Sequence, residues 1–289
     1  MIIDSHQHFW DPATGRYTTL DSSKPIYRAF GPKDLAPTLE IAGVDQTVLV
    51  QAADDLAETT AMLQVARRTP FVAGVVGWVP LQQPAAVEAA LDRFAGERAL
   101  CGARHLNHYE PDPDWLMRAP VRRSLRLLAK RNLAFDVITI RPAHLSQVHR
   151  LAGENPDLRI VVDHLGQPPL ATREWQPWAD EVAHCAERPN VYLKLSGLFT
   201  TARPAATIVD LQPYVDHALR TFGAERVMWG SDWPVVLLNR GYTDALTSTV
   251  TLLSRLTDAE RARVLGGTAV SVYGLRPPAP SPDAAEPDA

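Results

Sequence analysis

The 289-residue sequence is poor in cysteine. Cys101 and Cys185 are too few for a disulfide framework or a thiolate metal cage, which fits a reducing compartment. Positive charge is not in excess: 29 Lys and Arg stand against 33 Asp and Glu, a formal net charge of −4. Surfaces that hold nucleic acid or anionic membrane need clustered positive charge, so neither partner is expected. No uninterrupted apolar run approaches the ~18 residues of a membrane span. Residues 1–10 lack the basic start and apolar block of a secretory signal. A cytoplasmic protein acting on a small molecule is expected. A G-x-G-x-x-G turn is also missing, which weakens any dinucleotide-binding reading.

Apolar residues at 46% and charged residues at 21% allow a large core. Eight short β-branched or apolar runs occupy residues 2–9, 46–53, 71–79, 100–107, 133–140, 159–165, 191–198 and 227–233. Between them lie apolar positions at helical steps, such as Val121, Leu125 and Leu128, or Leu211, Val215 and Leu219. Alternating strands and helices imply parallel strands joined by crossovers, and eight units imply a closed (β/α)₈ barrel, one α/β domain over residues 1–275. A doubly wound open sheet is the competing architecture. The long segment 11–33 is expected to be functional or disordered. Thr257 and Glu260 form a capping box for a helix that ends at Gly266 and Gly267. The Pro/Ala/Asp tail, 276–289, is expected to be disordered.

Chemistry concentrates at the ends of the strand runs. His6 and His8 share one strand side with Asp4, so both imidazoles can meet one metal ion. Asp163 and His164 close a strongly apolar run, where an unpartnered polar group costs several kcal/mol. Asp232 ends the last run, before Pro234; a carboxylate there can ligate a metal, act as a general base or orient an imidazole. His6, His8, His164 and Asp232 thus come from runs one, six and eight, which would share one barrel rim. Each also has a plainer reading, as a hydrogen-bonded strand end or turn residue. Arg104 and Lys194 lie in apolar segments and need anions. Either Arg104 pairs with Asp136 on the next strand, or Arg104, His105 and Lys194 grip a substrate. Gln51 and Trp78 join the candidate substrate-binding group. His108, His144, His149, His184 and His217 read as surface residues, and the two cysteines as small buried hydrophobes.

The stretches IDSHQHFW, GARHLN, VVDHLGQPP, NVYLKLSGL, FGAERVMWGSDWPV and VLGGTAVSVYGL resemble the amidohydrolase superfamily. The likeness is to its branch of barrel hydrolases that includes sugar-acid lactonases and 2-pyrone-4,6-dicarboxylate lactonase. The resemblance implies a (β/α)₈ barrel with its site at the carboxyl ends of the strands. His6 and His8 match the first-strand pair, His164 a later-strand histidine, and Asp232 the last-strand aspartate. Binuclear members carry a carbamylated fourth-strand lysine, where this chain has Arg104 and His105, and Asp136 replaces a fifth-strand histidine common in the family. The resemblance therefore implies one divalent ion, zinc or manganese, on His6, His8, Asp232 and His164, or no metal at all. The implied reaction is lactone opening, with Asp232, His164 and His6 as the catalytic group. Metal-dependent decarboxylation on the same fold and a non-catalytic ligand-binding barrel are the competing readings. Oligomeric state is left open.

Overall fold

The computed structural model describes residues 1–202 and 206–276. Eight parallel strands pair in chain order: β1 (Ile3–Gln7), β2 (Gln46–Val50), β3 (Val72–Gly77), β4 (Leu100–His105), β5 (Ala134–Val137), β6 (Ile160–Val162), β7 (Val191–Leu195) and β8 (Val227–Trp229). Each lies within one of the eight runs read from the sequence. The seam between β8 and β1 closes through backbone bonds beyond the end of β8: Asp232 N–H donates to His6 O at 2.8 Å and His8 N–H to Trp233 O at 2.7 Å. The result is a (β/α)₈ barrel, not an open sheet.

Helices α1 (Pro32–Ala42), α2 (Leu56–Arg68), α3 (Pro84–Arg93), α4 (Ala119–Lys130), α5 (Pro142–Glu154) and α6 (Trp178–Ala186) follow the first six strands. The turn α7 (Leu198–Thr201) and helix α8 (Ile208–Phe222) follow β7, and α9 (Tyr242–Leu252) follows β8. The helices bury their apolar faces against the outside of the barrel, as with Val121, Leu125 and Leu128 of α4. Cys101 and Cys185 are buried in β4 and α6, and burial pushes both thiols up to about 12. The segment after β1 is ordered. Trp10 and Phe30 exchange backbone hydrogen bonds across its base, and Arg16 Nε donates to Asp55 at 2.7 Å. No helix among the described residues is long and apolar enough to cross a membrane.

Thr257 and Glu260 do form the capping box, but the helix does not stop at the glycines. From α10 (Asp258–Ala262) the chain passes through a wider π-type turn (Arg263–Gly267) into α11 (Thr268–Tyr273). Gly266 serves close packing rather than termination: a Cβ there would lie 2.9 Å from Met1 O and 3.4 Å from Ile3 N. Through that contact α11 seats Ala269, Val272 and Tyr273 against the inward-facing Ile3, Val48, Val50, Val76, Cys101, Ala134, Val161 and Met228. The amino end of the barrel is thereby packed with apolar side chains. The tail expectation for 277–289 falls outside the described residues.

Gly266→Ala must displace either α11 or the start of β1. A loss of about 1–3 kcal/mol is expected from such overpacking, read as a lower urea midpoint at unchanged slope.

Candidate active site

Above the apolar floor the barrel interior turns polar, and its charges are paired. Lys194, fully buried on β7, donates from Nζ to Asp136 of β5 and lies 3.2 Å from Asp163 Oδ1 and 3.1 Å from His6 Nδ1. Tyr273 of α11 adds its hydroxyl to Asp136 at 2.8 Å. Arg104 of β4 reaches past its strand neighbour Asp136 and donates from Nη1 to Asp163 Oδ2 at 3.0 Å and from Nη2 to Gln51 O. The expected Arg104–Asp136 pair is thus replaced: Asp136 belongs to Lys194 and Asp163 is shared by both cations. Burial alone would raise the Asp163 carboxyl, but the charge of Lys194, the hydrogen bond from His6 and the charge of Arg104 outweigh it and hold it well below the usual carboxylate range.

His6 and His8 project into the same space, their Nε2 atoms 3.2 Å apart. Asp4 does not join them. The pairing of β1 with β2 slips register between Asp4 and Gln7, and the Asp4 carboxylate accepts from Ser231 N, Ser231 Oγ and the Tyr242 hydroxyl. The irregularity upsets strict alternation, which is why the sequence misplaces it. Asp232 meets both histidines, with Oδ1 3.4 Å from His8 Nε2 and 3.8 Å from His6 Nε2. Its φ of +60° is a left-handed conformation that a non-glycine residue holds only at a cost of order 1–3 kcal/mol.

Hydrogen-bond partners fix which nitrogens carry lone pairs. His8 Nδ1 lies 2.7 Å from the Val50 carbonyl, which requires Nδ1–H and leaves Nε2 as an acceptor. His6 Nδ1 lies 3.3 Å from the Asp163 carboxylate, which calls for Nδ1–H there and leaves Nε2, 3.2 Å from the Arg104 guanidinium, with the lone pair. Burial lowers both imidazoles below their ordinary value, His6 strongly and with help from Lys194, so neither is an imidazolium at neutral pH. Two lone pairs and a carboxylate therefore converge with donor separations near the ~3.3 Å that tetrahedral bonds of about 2.0–2.1 Å impose. This donor set suits one divalent cation.

His164 arrives by a different route. β6 ends at Val162, and His164, Leu165 and Gln167 all have positive φ in the turn that follows. The turn releases His164 from strand alternation, so it and Asp163 both reach His6; the His164 and His6 ring centroids are 4.7 Å apart. Its Nδ1 lies 2.9 Å from Ser196 Oγ. The ring fits because residue 197 is glycine, at φ +67°, where a Cβ would lie 2.8 Å from the His164 Nδ1.

The remaining candidates sit around this centre. Gln51 is fully buried, and its amide donates to Asp54 at 3.0 Å and to the Arg104 carbonyl at 3.3 Å, which places it in the supporting wall. His105 turns away from His6. It stacks on Trp115 at 4.0 Å, accepts from the Trp78 indole at 3.0 Å and faces Glu110 through Nε2 at 2.9 Å. The surface reading fails for His144, which is 2% exposed; His108 is half-buried, and burial with the nearby Arg104 charge pushes its imidazole down to about 4. Asp163, whose partner the sequence left unassigned, and Asp136, which one reading paired with Arg104, are the decisive residues. Their signal was an uncompensated carboxylate in an apolar strand.

The chain matches the amidohydrolase family over residues 3–275. It belongs to that family. It is 38% identical over 281 residues to L-fucono-1,5-lactonase of Burkholderia ambifaria, covering 96% of each chain, and 32% identical over 291 residues to L-fucono-1,5-lactonase of Burkholderia multivorans, covering 96% of this chain and 97% of that one. A crystal structure of a Burkholderia multivorans amidohydrolase with bound zinc superposes with a TM-score of 0.87 at 32% identity, over 96% of this chain and all of that one.

Three outcomes follow from this geometry. Lys194→Met leaves buried Asp136 without a cation and Asp163 with Arg104 alone, and is expected to cost about 3–5 kcal/mol, measured by urea denaturation. Gly197→Ala pushes the His164 ring aside, so catalytic turnover should fall at least tenfold with the global fold intact by circular dichroism. Glu58, whose carboxylate accepts from Ala52 N and Ala53 N beyond β2, is raised to about 7 by burial. The folded state then binds the proton more tightly than the unfolded chain, so this group's contribution to stability declines as pH rises from about 4.5 to about 7. Melting curves across that range should show Glu58→Gln gaining on the wild type as pH increases.

Proposed function

We propose that the protein is a lactonase that opens a sugar-acid or related hydroxy-acid lactone by attack of water on the acyl carbon. The observation that carries this reading is the convergence of His6, His8 and Asp232 on one gap at the carboxyl end of the barrel, and the likeness to the Burkholderia lactonases supports the substrate class. His6, His8 and Asp232 hold a divalent ion, zinc or manganese, with His164 beside them. When bound, such an ion supplies Lewis acidity toward water and the acyl oxygen.

Asp232 retains slight access to the mouth and takes the proton from the attacking water. The new bond joins that water's oxygen to the acyl carbon. As the tetrahedral adduct collapses, the ring carbon–oxygen bond breaks and Asp232 returns the proton to the leaving alkoxide. Arg104 and His164 border the space where the acyl oxygen gains charge, and removal of a comparable donor costs on the order of 10²–10³ in rate. Lys194 and Gln51 act from behind the site by holding His6 and Arg104 in place, and the bonded pair His105 and Trp78 stands beside it.

Asp232→Asn should lower kcat by about 10²–10⁴-fold while leaving the melting temperature within a few degrees. The decisive assay is a pH-indicator screen of a lactone panel that includes L-fucono-1,5-lactone, run on protein treated with chelator and again after addition of zinc or manganese. Acid release is expected on at least one sugar-acid lactone, lost with chelator and restored by metal. No acid release on any lactone, or carbon dioxide release from an unsaturated or aromatic acid instead, refutes the proposal.

A further inference from the structure

A second constellation of metal-binding groups lies outside the barrel, on helices that take no part in the site above. His149 is on α5, His184 near the end of α6, and Glu187 just beyond α6. Their ligand atoms lie within 4.8 Å of one another. Glu187 Oε2 is 3.5 Å from His149 Nε2 and 3.9 Å from His184 Nε2, both too long for good hydrogen bonds. The imidazole centroids are only 3.6 Å apart, with planes tilted by 37°. The two imidazoles and a carboxylate oxygen, none in a close hydrogen bond with another, form an open three-donor set that one ion closes once the more exposed His184 ring turns out of the stack.

We propose that His149, His184 and Glu187 bind a divalent transition-metal ion that ties α5 to α6. The N₂O donor set selects ions of the zinc, copper and nickel kind over magnesium or calcium. The backbone beneath is firm: Cys185 Sγ donates to Leu145 O at 3.1 Å and Asn190 Nδ2 to Ala152 O at 3.2 Å, so the two helices hold their separation without an ion. Side-chain exposures of 16%, 45% and 68% leave the donors open to solvent ions. Burial lowers the His149 imidazole, which favours its neutral, metal-binding form. Arg188 is the opposing charge. Its guanidinium lies over Gly153, where a Cβ would come within 3.0 Å of it, and so is directed onto α5.

The test uses the full chain stripped with chelator and titrated with zinc by calorimetry, beside His149→Ala/His184→Ala and Glu187→Gln. The wild type should take up one zinc equivalent more than the double variant, and Glu187→Gln should weaken that equivalent at least tenfold. Copper(II) bound by protein carrying His6→Ala and His8→Ala should give an electron-spin resonance spectrum with coupling to two nitrogens that disappears when His149 and His184 are also replaced. Zinc should raise the melting temperature of that His6/His8 variant and not of the protein lacking all four histidines, with lactone turnover unchanged in the His149/His184 double variant. Equal stoichiometry and affinity in wild type and double variant, or uptake only at millimolar zinc, overturns the proposal.

Discussion

A buried ammonium group cannot persist without anions at contact distance, and Lys194 organises the barrel interior around that requirement. Its two carboxylates arrive from β5 and β6, and each brings a further partner: Asp136 binds Tyr273 from below, Asp163 binds Arg104 from across the barrel. The same ammonium faces His6 Nδ1 and helps keep that imidazole uncharged. A continuous polar column thus runs from the carboxy-terminal helix to the mouth, and the ligand-bearing edge of His6 is oriented by groups that never touch the mouth themselves.

The seam of the barrel supplies the second constraint. The bonds that join β8 to β1, from Asp232 N to His6 O and from His8 N to Trp233 O, involve the very residues whose side chains converge. Closing the barrel and assembling the three donors are therefore one event. A chain with an open seam would have neither the fold nor the site, which explains why residues at opposite ends of the sequence hold strained or specialised conformations such as the left-handed Asp232.

This coupling also sets what could be read from the sequence. Strand positions were legible because eight apolar runs alternate with helical periodicity, and His6, His8, His164 and Asp232 were legible because polar groups at the ends of apolar strands need partners. The partners themselves were not. Which carboxylate serves Arg104 depends on how far a guanidinium reaches across a closed interior, a distance that local spacing does not encode. Asp4 was placed beside His6 by alternation, and the register slip in β1 undoes that rule. Strict alternation would also turn the adjacent Asp163 and His164 to opposite faces, and the positive-φ turn after β6 brings both to His6. Gly266 read as a helix stop because glycine often is one, whereas here its missing Cβ lets a helix press against Met1 and Ile3.

Charge counting favours one ion over a bridged pair at the proposed site. Arg104 and Lys194 bring two positive charges into a region shielded from water, and Asp163 and Asp136 balance them. Asp232 is the carboxylate left to face a cation among the described groups around His6, and the two imidazoles add lone pairs but no charge. A second divalent ion would place two more positive charges beside a guanidinium and an ammonium with no further anion in reach, at a desolvation cost of several kcal/mol. The arginine at the fourth-strand position cannot form the carbamate by which a lysine there bridges two metals, and its own charge lies where such a bridge would draw cations in. Loss of the bridge and the presence of Arg104 are thus two sides of a single electrostatic choice.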